Sequence, residues 1–199
     1  MPADVNRPQD SKASLKTFTQ HSPYDSPWSF RQRCAALAWE YCWLLFCQWT
    51  PKPLNRWRLF WLRLFGARIF GNPFVHQRAR IQLPWNLTLH DRATLGDRAN
   101  AYSLGEIEIG PRAIVAQEAY LCTGTHELAD ANLPLQVGKI TIGEDAFVAA
   151  RAFIMPGVSV GPRSVVGACA VVTRSVPADV VVGGNPAKIL APRVPVRRP

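Results

Sequence analysis

The residues best suited to chemistry lie near the middle of the chain, around His126. An imidazole titrates close to neutral pH and can remove the proton of a hydroxyl group, so His126 is a candidate general base. Cys122 stands four residues earlier, which leaves open a thiol nucleophile activated by this histidine. A histidine at the edge of a loop that only forms hydrogen bonds is the plainer interpretation of the same residues.

The other histidines and the cysteines do not indicate a metal site. Protein zinc sites use three or four ligands, and no second histidine lies near His126 in the sequence. We expect His21, His76 and His90 to be structural or solvated. The five cysteines are odd in number and include no Cys-x-x-Cys pair, which favours free thiols over zinc ligands or disulfides.

An aliphatic residue recurs every six residues in the C-terminal part of the chain, at Ile142, Val148, Ile154, Val160, Val166 and Val172. Earlier runs with the same six-residue spacing contain Ile109, Val115 and Leu121, and before them Leu89 and Leu95. A period of six fits neither the helical period of 3.6 nor simple strand alternation. It predicts an all-β solenoid, a parallel β-helix in which three hexapeptides form one triangular coil.

The repeat breaks on both sides of His126. The register slips by two residues around positions 101–105, and a longer insertion at about 127–139 leaves the coil. Insertions in solenoids form loops that often line a binding face. These breaks therefore favour a functional role for His126.

Four regions follow from these patterns. We expect a flexible segment over residues 1–27, two amphipathic helices over 28–66, the solenoid over 67–190 and a frayed basic tail over 191–199. The helices separate at the prolines of Pro51-Lys52-Pro53. The second helix carries aromatic and aliphatic residues on one side, with arginines on its other sides: Trp57, Phe60, Trp61, Leu64 and Phe65, against Arg56, Arg58 and Arg63.

Two roles stay open for these helices, capping the first coil and contacting a membrane surface. The apolar run from Cys34 to Trp49 is shorter than the roughly 20 residues of a membrane span and contains Glu40. We therefore expect this run to lie against a surface. No signal peptide is apparent, and a cytoplasmic location is expected.

The formal net charge of +9 favours an acidic partner, such as a phosphorylated cofactor, an acidic polymer, anionic lipid or nucleic acid. Nucleic-acid binding has only this charge in its favour, because no recognised nucleic-acid-binding module is present. We therefore expect no nucleic-acid partner.

Four stretches carry a family resemblance: residues 56–67, 104–110, 120–126 (Tyr-Leu-Cys-Thr-Gly-Thr-His) and 184–188 (Gly-Asn-Pro-Ala-Lys). Through them the chain resembles the hexapeptide-repeat acyltransferases, and within these the colanic-acid and exopolysaccharide biosynthesis acetyltransferases. The resemblance runs from about residue 55 to 189. It implies a left-handed β-helix, an exception to the usual right-handed crossover.

The resemblance also implies an activity and a site. It implies a homotrimer with active sites between subunits that transfers acetyl from acetyl-CoA to a sugar hydroxyl, with His126 as base and no metal. The implied donor contacts are Ala150, Ala168, Thr173, Arg174 and Lys188. Tyr102 and Ser103 fall where relatives often hold an asparagine or aspartate that contacts the sugar. Glu127 follows His126, where it could orient the ring, although a solvent-exposed carboxylate is the plainer interpretation. The acceptor could be a nucleotide sugar, a lipid-linked unit or a polymer.

One alternative comes from a different class of function. The solenoid would be a non-catalytic scaffold that organises polysaccharide enzymes at a membrane through its basic aromatic helices. The residues around His126 and Lys188 argue against this alternative. Binding of acetyl-CoA would separate the two hypotheses.

Overall fold

The structure, a computed structural model, describes residues 15–20, 22 and 25–194. Its strands in chain order are β1 Lys16–Thr17, β2 Arg68–Ile69, β3 Phe74–Val75, β4 Arg80–Ile81, β5 Leu87–Leu89, β6 Thr94–Leu95, β7 Asn100–Tyr102, β8 Ile107–Ile109, β9 Ile114–Val115, β10 Tyr120–Cys122, β11 Gly124–His126, β12 Leu135–Val137, β13 Ile140–Ile142, β14 Phe147–Val148, β15 Phe153–Ile154, β16 Ser159–Val160, β17 Val165–Val166, β18 Val171–Val172, β19 Val180–Gly184 and β20 Ala187–Pro192. The helices are α1 Phe30–Cys42 and α2 Asn55–Leu64.

The short strands stack into three parallel sheets that enclose one narrow core. The first sheet has the order β2-β5-β8-β13-β16, the second runs from β3 through β6, β9, β14 and β17 to β19 and β20, and the third has the order β4-β7-β10-β15-β18. Equivalent residues of successive coils are paired, as Leu89, Ile109, Ile142 and Val160 are in the first sheet. The chain is therefore the predicted solenoid of triangular coils.

The aliphatic residues at six-residue spacing point into the core, as predicted. The six residues from Ile142 to Val172 at this spacing are at most 1% exposed. The residue three places after an inward aliphatic often adopts a positive φ at a corner, as Arg112 and Asp145 do at +56°. These two side chains also pair across neighbouring coils, with Arg112 Nε 2.8 Å from Asp145 Oδ1. Corner charges thus connect the coils outside the apolar core.

The two-residue slip after Ala101 is present, and a second slip of the same size lies between Ile81 and Leu89, where the sequence analysis missed it. Both slips lie at the same corner of successive coils. Ser103 joins them, because its hydroxyl donates to the Leu83 carbonyl and accepts from the Leu83 N–H, each at 2.9 Å.

The insertion after His126 forms a hairpin of strands β11 and β12 that leaves the coil. Strand β1 pairs with the outer edge of β12, with Lys16 opposite Val137. Gln20 Oε1 also accepts a hydrogen bond from the Leu135 N–H at 2.6 Å. The prediction of a flexible segment over 1–27 is therefore wrong for residues 16–20, because unpaired backbone groups of β12 bind them. Residues 1–14, 21, 23 and 24 lie outside the described residues.

The N-terminal helices cap the first coil, which confirms one of the two roles left open for them. Helix α1 begins with a capping box between Ser29 and Gln32, and continues into a π-helical turn, Trp43–Cys47. Trp39 Nε1 donates to the Ile81 carbonyl at 2.7 Å, and Asn55 Oδ1 accepts from the Val75 N–H at 3.0 Å. These bonds satisfy edge groups of the first coil that no further strand pairs.

Arg58 lies on a different side of α2 from the exposed aromatic residues, as predicted, and that side faces the solenoid. Its side chain is fully buried, and it donates to the carbonyls of Val75, Pro51 and Lys52 and to Thr50 Oγ1 at 2.8–3.0 Å. Burial lowers the pKa of this guanidinium. Its fork geometry thus satisfies several carbonyls where the helices meet the solenoid.

The opposite end of the solenoid is closed by the antiparallel strands β19 and β20. Beyond β20, the Arg193 N–H donates to the Asp179 carbonyl at 2.8 Å, and Arg193 Nη1 donates to the Asp145 carbonyl at 2.7 Å. The prediction of a frayed tail from residue 191 is therefore wrong through Arg193. Residues 195–199 lie outside the described residues.

Candidate active site

Thr123 forms the neck at which the chain leaves the coil. Its hydroxyl donates to the Tyr102 carbonyl at 2.6 Å and accepts from the Gly105 N–H at 2.8 Å. Its carbonyl accepts from the Gly138 N–H at 2.9 Å, where the chain returns. A Cβ at Gly138 would lie 2.4 Å from the Gly157 nitrogen, so only glycine fits there. The neck therefore sets the direction in which β11 carries His126.

His126 ends strand β11 with an exposed side chain. Its Nδ1 lies 2.6 Å from the Leu133 carbonyl oxygen. A carbonyl only accepts hydrogen bonds, so Nδ1 carries the proton and Nε2 of the neutral ring keeps its lone pair. This tautomer is the one that a base acting through Nε2 requires.

The loop between β11 and β12 holds that carbonyl in place. Leu133 adopts the left-handed backbone region with a φ of +45°, which is uncommon for a leucine. Its N–H donates to the Asp130 carbonyl at 2.9 Å, and the Asn132 N–H donates to Asp130 Oδ1 at 2.8 Å. The turn is thus built around Asp130 and directs the Leu133 carbonyl at His126.

Glu127 does not orient the His126 ring. Its Oε2 accepts from Gln136 Nε2 at 2.8 Å, and its Oε1 accepts from the Ala129 N–H at 3.2 Å. The carboxylate therefore stabilises the hairpin, which is neither of the two roles left open for it. The Leu133 carbonyl orients the His126 ring instead. Sequence reasoning missed it because a backbone acceptor leaves no trace in residue type.

Of the two residues expected to contact a sugar, only Tyr102 lies beside the site. Its half-buried ring packs so closely on β11 that a Cβ at Gly124 would lie 3.3 Å from Tyr102 Cε1. Burial raises the pKa of the Tyr102 phenol, which stays a hydrogen-bond donor at neutral pH. Ser103 is fully buried, and its hydroxyl is engaged with Leu83. The prediction that Ser103 contacts the acceptor is therefore wrong.

An aromatic ladder on the outer face of the third sheet continues from Tyr102. The Tyr102 and Tyr120 rings lie 6.0 Å apart, and Tyr120 stacks on Phe153 at 5.0 Å with an interplanar angle of 14°. Sequence reasoning missed the ladder. The signal was available, because Tyr120 and Phe153 each precede an inward aliphatic residue and therefore point outward.

The Cys122 thiol is held as a hydrogen-bond donor. Its Sγ lies 3.2 Å from the Gly124 carbonyl oxygen, and burial raises the pKa of the thiol. A neutral, buried thiol is a poor nucleophile. This arrangement does not favour Cys122 as the nucleophile that the sequence left open.

The five expected donor contacts lie on two corners of the coil. Ala150 and Ala168 stack between the second and third sheets, where the Cys169 N–H donates to the Ala150 carbonyl at 3.0 Å. Lys188 pairs with Gly183 at the end of the second sheet. Thr173 and Arg174 follow β18 at the corner between the third and first sheets, which is also the corner of the hairpin neck. Within one chain, these residues therefore form two groups, one at each of the two corners that flank the third sheet.

Two further histidines have structural partners, as expected. His76 is buried with Nδ1 3.1 Å from Asp97 Oδ1, and burial lowers the pKa of its ring. His90 Nε2 lies 3.0 Å from Glu108 Oε1. Among the described residues, no group of three or more histidine, cysteine, aspartate or glutamate side chains is placed to hold a metal ion. His21 lies outside the described residues.

Comparison with known proteins shows the family of this chain. The family model described as "Bacterial transferase hexapeptide (six repeats)" matches residues 139–174. The protein named "Putative colanic acid biosynthesis acetyltransferase WcaF" of Escherichia coli (strain K12) is 46% identical over 146 residues, which cover 73% of this chain and 80% of the relative. The chain belongs to the hexapeptide-repeat acetyltransferases. It is accordingly an acyltransferase, built on a left-handed parallel β-helix.

Solved structures share this fold. A hexapeptide-repeat acetyltransferase of Vibrio cholerae O1 biovar eltor, in complex with acetyl coenzyme A, superposes with a TM-score of 0.77 at 21% identity, over 85% of this chain and 93% of that one. A galactoside acetyltransferase in complex with coenzyme A superposes with a TM-score of 0.67 at 19% identity, over 84% of each chain. At these identities the likeness concerns the fold.

Proposed function

We propose that this acetyltransferase transfers acetyl from acetyl-CoA to a sugar hydroxyl in exopolysaccharide biosynthesis, with His126 as the general base. The observation that carries the proposal is the hydrogen bond between His126 Nδ1 and the Leu133 carbonyl, which leaves Nε2 free to accept a proton. Membership of the family supports the acetyl donor. The name of the Escherichia coli relative supports the exopolysaccharide context.

The reaction follows from this tautomer. The acceptor hydroxyl donates its hydrogen to Nε2 of His126 while its oxygen attacks the thioester carbonyl carbon, forming a tetrahedral intermediate. The C–S bond then breaks, and the imidazolium returns the proton to the coenzyme A thiolate. The Leu133 carbonyl stabilises the imidazolium between these steps. A positioned base of this kind contributes about 10²–10⁴ in rate.

The donor site is proposed to lie between subunits of a homotrimer. Thr173 and Arg174 share the corner of the hairpin neck, whereas Ala150, Ala168 and Lys188 lie across the third sheet. A groove along one chain's corner would contact only one of these groups. Rotation about a threefold axis can set one corner against the other corner of the next chain. Each active site would then combine His126, Thr173 and Arg174 of one subunit with the alanines and Lys188 of its neighbour.

The acceptor is proposed to be a sugar that lies against Tyr102, since aromatic rings cover the apolar faces of sugar rings. Its carrier is proposed to be a nucleotide or a lipid. We place the reaction in the cytoplasm, at the inner face of the plasma membrane. Among the described residues, no helix is long and apolar enough to cross a membrane. The proposed attachment is therefore peripheral.

The experiment is acceptor-dependent thiol release from acetyl-CoA with a panel of sugars, comparing the native protein with His126→Ala. We expect the rate to fall by about 10²–10⁴ in the variant. His90→Gln serves as the matched control, because His90 bonds Glu108 away from the hairpin and its loss should leave the rate unchanged. Release that survives in His126→Ala would contradict the assigned base. Failure to bind acetyl-CoA would favour the scaffold alternative.

A further inference from the structure

The outward surface of the helical cap is apolar over most of its length. We define the cap surface as nine exposed large apolar residues of α1, α2 and the π-helical turn and loop between them: Leu37, Tyr41, Leu44, Leu45, Phe46, Trp49, Trp57, Phe60 and Leu64. Their exposed fractions run from 41% to 71%. Contiguous apolar surfaces of this extent mark interaction sites in proteins that otherwise stay dissolved.

Part of the cap surface is a packed aromatic layer, formed by Phe46, Trp57 and Phe60 together with Trp61. Phe46 stacks on Trp61 at 5.1 Å, and Trp57 lies 5.9 Å from Phe60 and 5.6 Å from Trp61. These contacts join the π-helical turn to α2. The opposite face of α2, with Leu59 and Leu62, is buried on the solenoid. The aromatic layer is therefore held facing away from the coils.

The two exposed tryptophans of the cap surface, Trp49 and Trp57, already have hydrogen-bond partners for their indole N–H groups. Trp49 Nε1 donates to the Leu45 carbonyl at 2.5 Å, and Trp57 Nε1 donates to the Phe46 carbonyl at 2.8 Å. A donor taken out of water without a partner costs about 1–3 kcal/mol, which these two groups do not incur. These side chains can therefore enter an apolar medium without leaving the two indole N–H groups unpaired.

The positive charges around the cap surface indicate which kind of apolar medium it contacts. Residues 28–66 contain six cations and one carboxylate: Arg31, Arg33, Lys52, Arg56, Arg58 and Arg63, against Glu40. All the cations except Arg58 are exposed. Aromatic and aliphatic side chains flanked by arginine are typical of surfaces that lie in the boundary of a bilayer with anionic lipids.

We propose that the cap surface docks on an anionic lipid bilayer. Its apolar side chains enter the boundary between headgroups and acyl chains, while Lys52, Arg56 and Arg63 contact lipid phosphates. The helices then lie on the membrane, and the solenoid axis extends away from it.

One consequence concerns the acceptor and rests on the proposed function. In the third sheet, β4 of the first coil is separated from β10 by one strand, so the two strands lie about 10 Å apart at the usual spacing. The helical layer between the membrane and β4 adds about 10 Å, so docking holds the neck of the His126 hairpin roughly 20 Å from the lipid headgroups. The acceptor class that fits this position is a sugar carried on a membrane-anchored lipid.

Sedimentation of the full chain with vesicles tests the surface. We expect binding to vesicles of phosphatidylcholine mixed with phosphatidylglycerol, and much weaker binding to phosphatidylcholine alone. Arg56→Gln with Arg63→Gln should weaken binding to the anionic vesicles roughly 30-fold, at about fivefold for each cation. Arg92→Gln with Arg98→Gln, two exposed arginines of the solenoid corners, should leave binding unchanged.

A second pair of variants tests the apolar layer. Trp49→Ser with Phe60→Ser should abolish vesicle binding, whereas Ile189→Ser with Leu190→Ser, which replace equally exposed residues of β20, should not. Circular dichroism and the number of subunits in solution are measured for each variant alongside. The proposal is overturned by absence of vesicle binding in the native chain. It is also overturned if the Trp49/Phe60 variant binds like the native chain or contains fewer subunits in solution, since a second copy would then cover the layer.

Transfer assays separate this proposal from the proposed function. The Trp49/Phe60 variant should match the native rate on a water-soluble sugar and fall below it on an alkyl glycoside embedded in anionic vesicles. Equal rates on the embedded acceptor would contradict the acceptor class. Vesicle binding by a chain without transferase activity would refute the proposed function and leave the docking surface intact.

Discussion

In the coils, each inward side chain packs between its equivalents in neighbouring coils, whereas the hairpin of β11 and β12 is joined to the solenoid by a few hydrogen bonds at Thr123 and carries β1 on its outer edge. The first region gains its stability from repetition, because every coil buries the edge of the next. The second holds one side chain, His126, in one tautomer. The comparison indicates that stability and chemistry occupy separate parts of the chain, and substitutions should separate them.

The largest effect on stability should come from the apolar column, by which we mean the inward aliphatic residues that recur every six residues. Ile154 is fully buried, and Ile154→Ala should lower the free energy of unfolding by about 2–5 kcal/mol through lost burial and a cavity. Ile189→Ala, at an exposed position of β20, should stay within about 0.5 kcal/mol. Thermal unfolding measures both. If the two variants melted alike, the column would not be the source of stability.

A smaller loss of stability with a larger loss of activity is expected at the neck. Gly138→Ala places a methyl group against the Gly157 backbone, which cannot rotate away, and should cost about 1–3 kcal/mol while displacing β12. Gly105→Ala meets a side-chain carbon at 3.2 Å and should be milder. Unfolding and transfer rates of both variants are compared. An active Gly138→Ala enzyme would show that the hairpin does not depend on its neck.

A still smaller, pH-dependent effect is expected on the outer face of the first sheet. Hydrogen bonds from Lys139 and His90 lower the pKa of Glu108. A lowered pKa in the folded state adds stability above the unfolded pKa, and this stability is lost as the pH falls through the folded pKa. Glu108→Gln should therefore cost up to about 1 kcal/mol at neutral pH, and less as the pH falls below about 4.

Denaturant titrations at several pH values measure this difference. Glu106→Gln is the control, since Glu106 lies 3.9 Å from Lys139 Nζ and is more exposed. A Glu108→Gln deficit that grew towards acid pH would have the wrong sign for this explanation.

The smallest effect is expected at Cys122. Its thiol donates to Gly124 and takes no part in the proposed reaction, so Cys122→Ala should retain most of the transfer rate. Steady-state kinetics with acetyl-CoA checks this. A loss comparable to that of His126→Ala would restore the thiol as a nucleophile.

The sequence predicted the coils because their buried positions recur at a fixed spacing. A core position every six residues shows in residue type, and Ile142 to Val172 confirm it. The hairpin and helical cap are not periodic, and their main contacts use backbone groups. The Leu133 carbonyl at His126 and the carbonyls that receive Arg58 have no residue-type signal. For the same reason Ser103, which binds Leu83 backbone groups, was mistaken for an acceptor contact.

The proposed mechanism depends on the tautomer of His126, which nitrogen-15 NMR of the full chain with labelled histidine measures directly. The signals are assigned by comparison with His126→Gln. We expect the neutral His126 ring to be protonated at Nδ1 and to carry no proton on Nε2. A neutral ring protonated at Nε2 would contradict this expectation, because the Leu133 carbonyl would then not hold the ring in the orientation of a base.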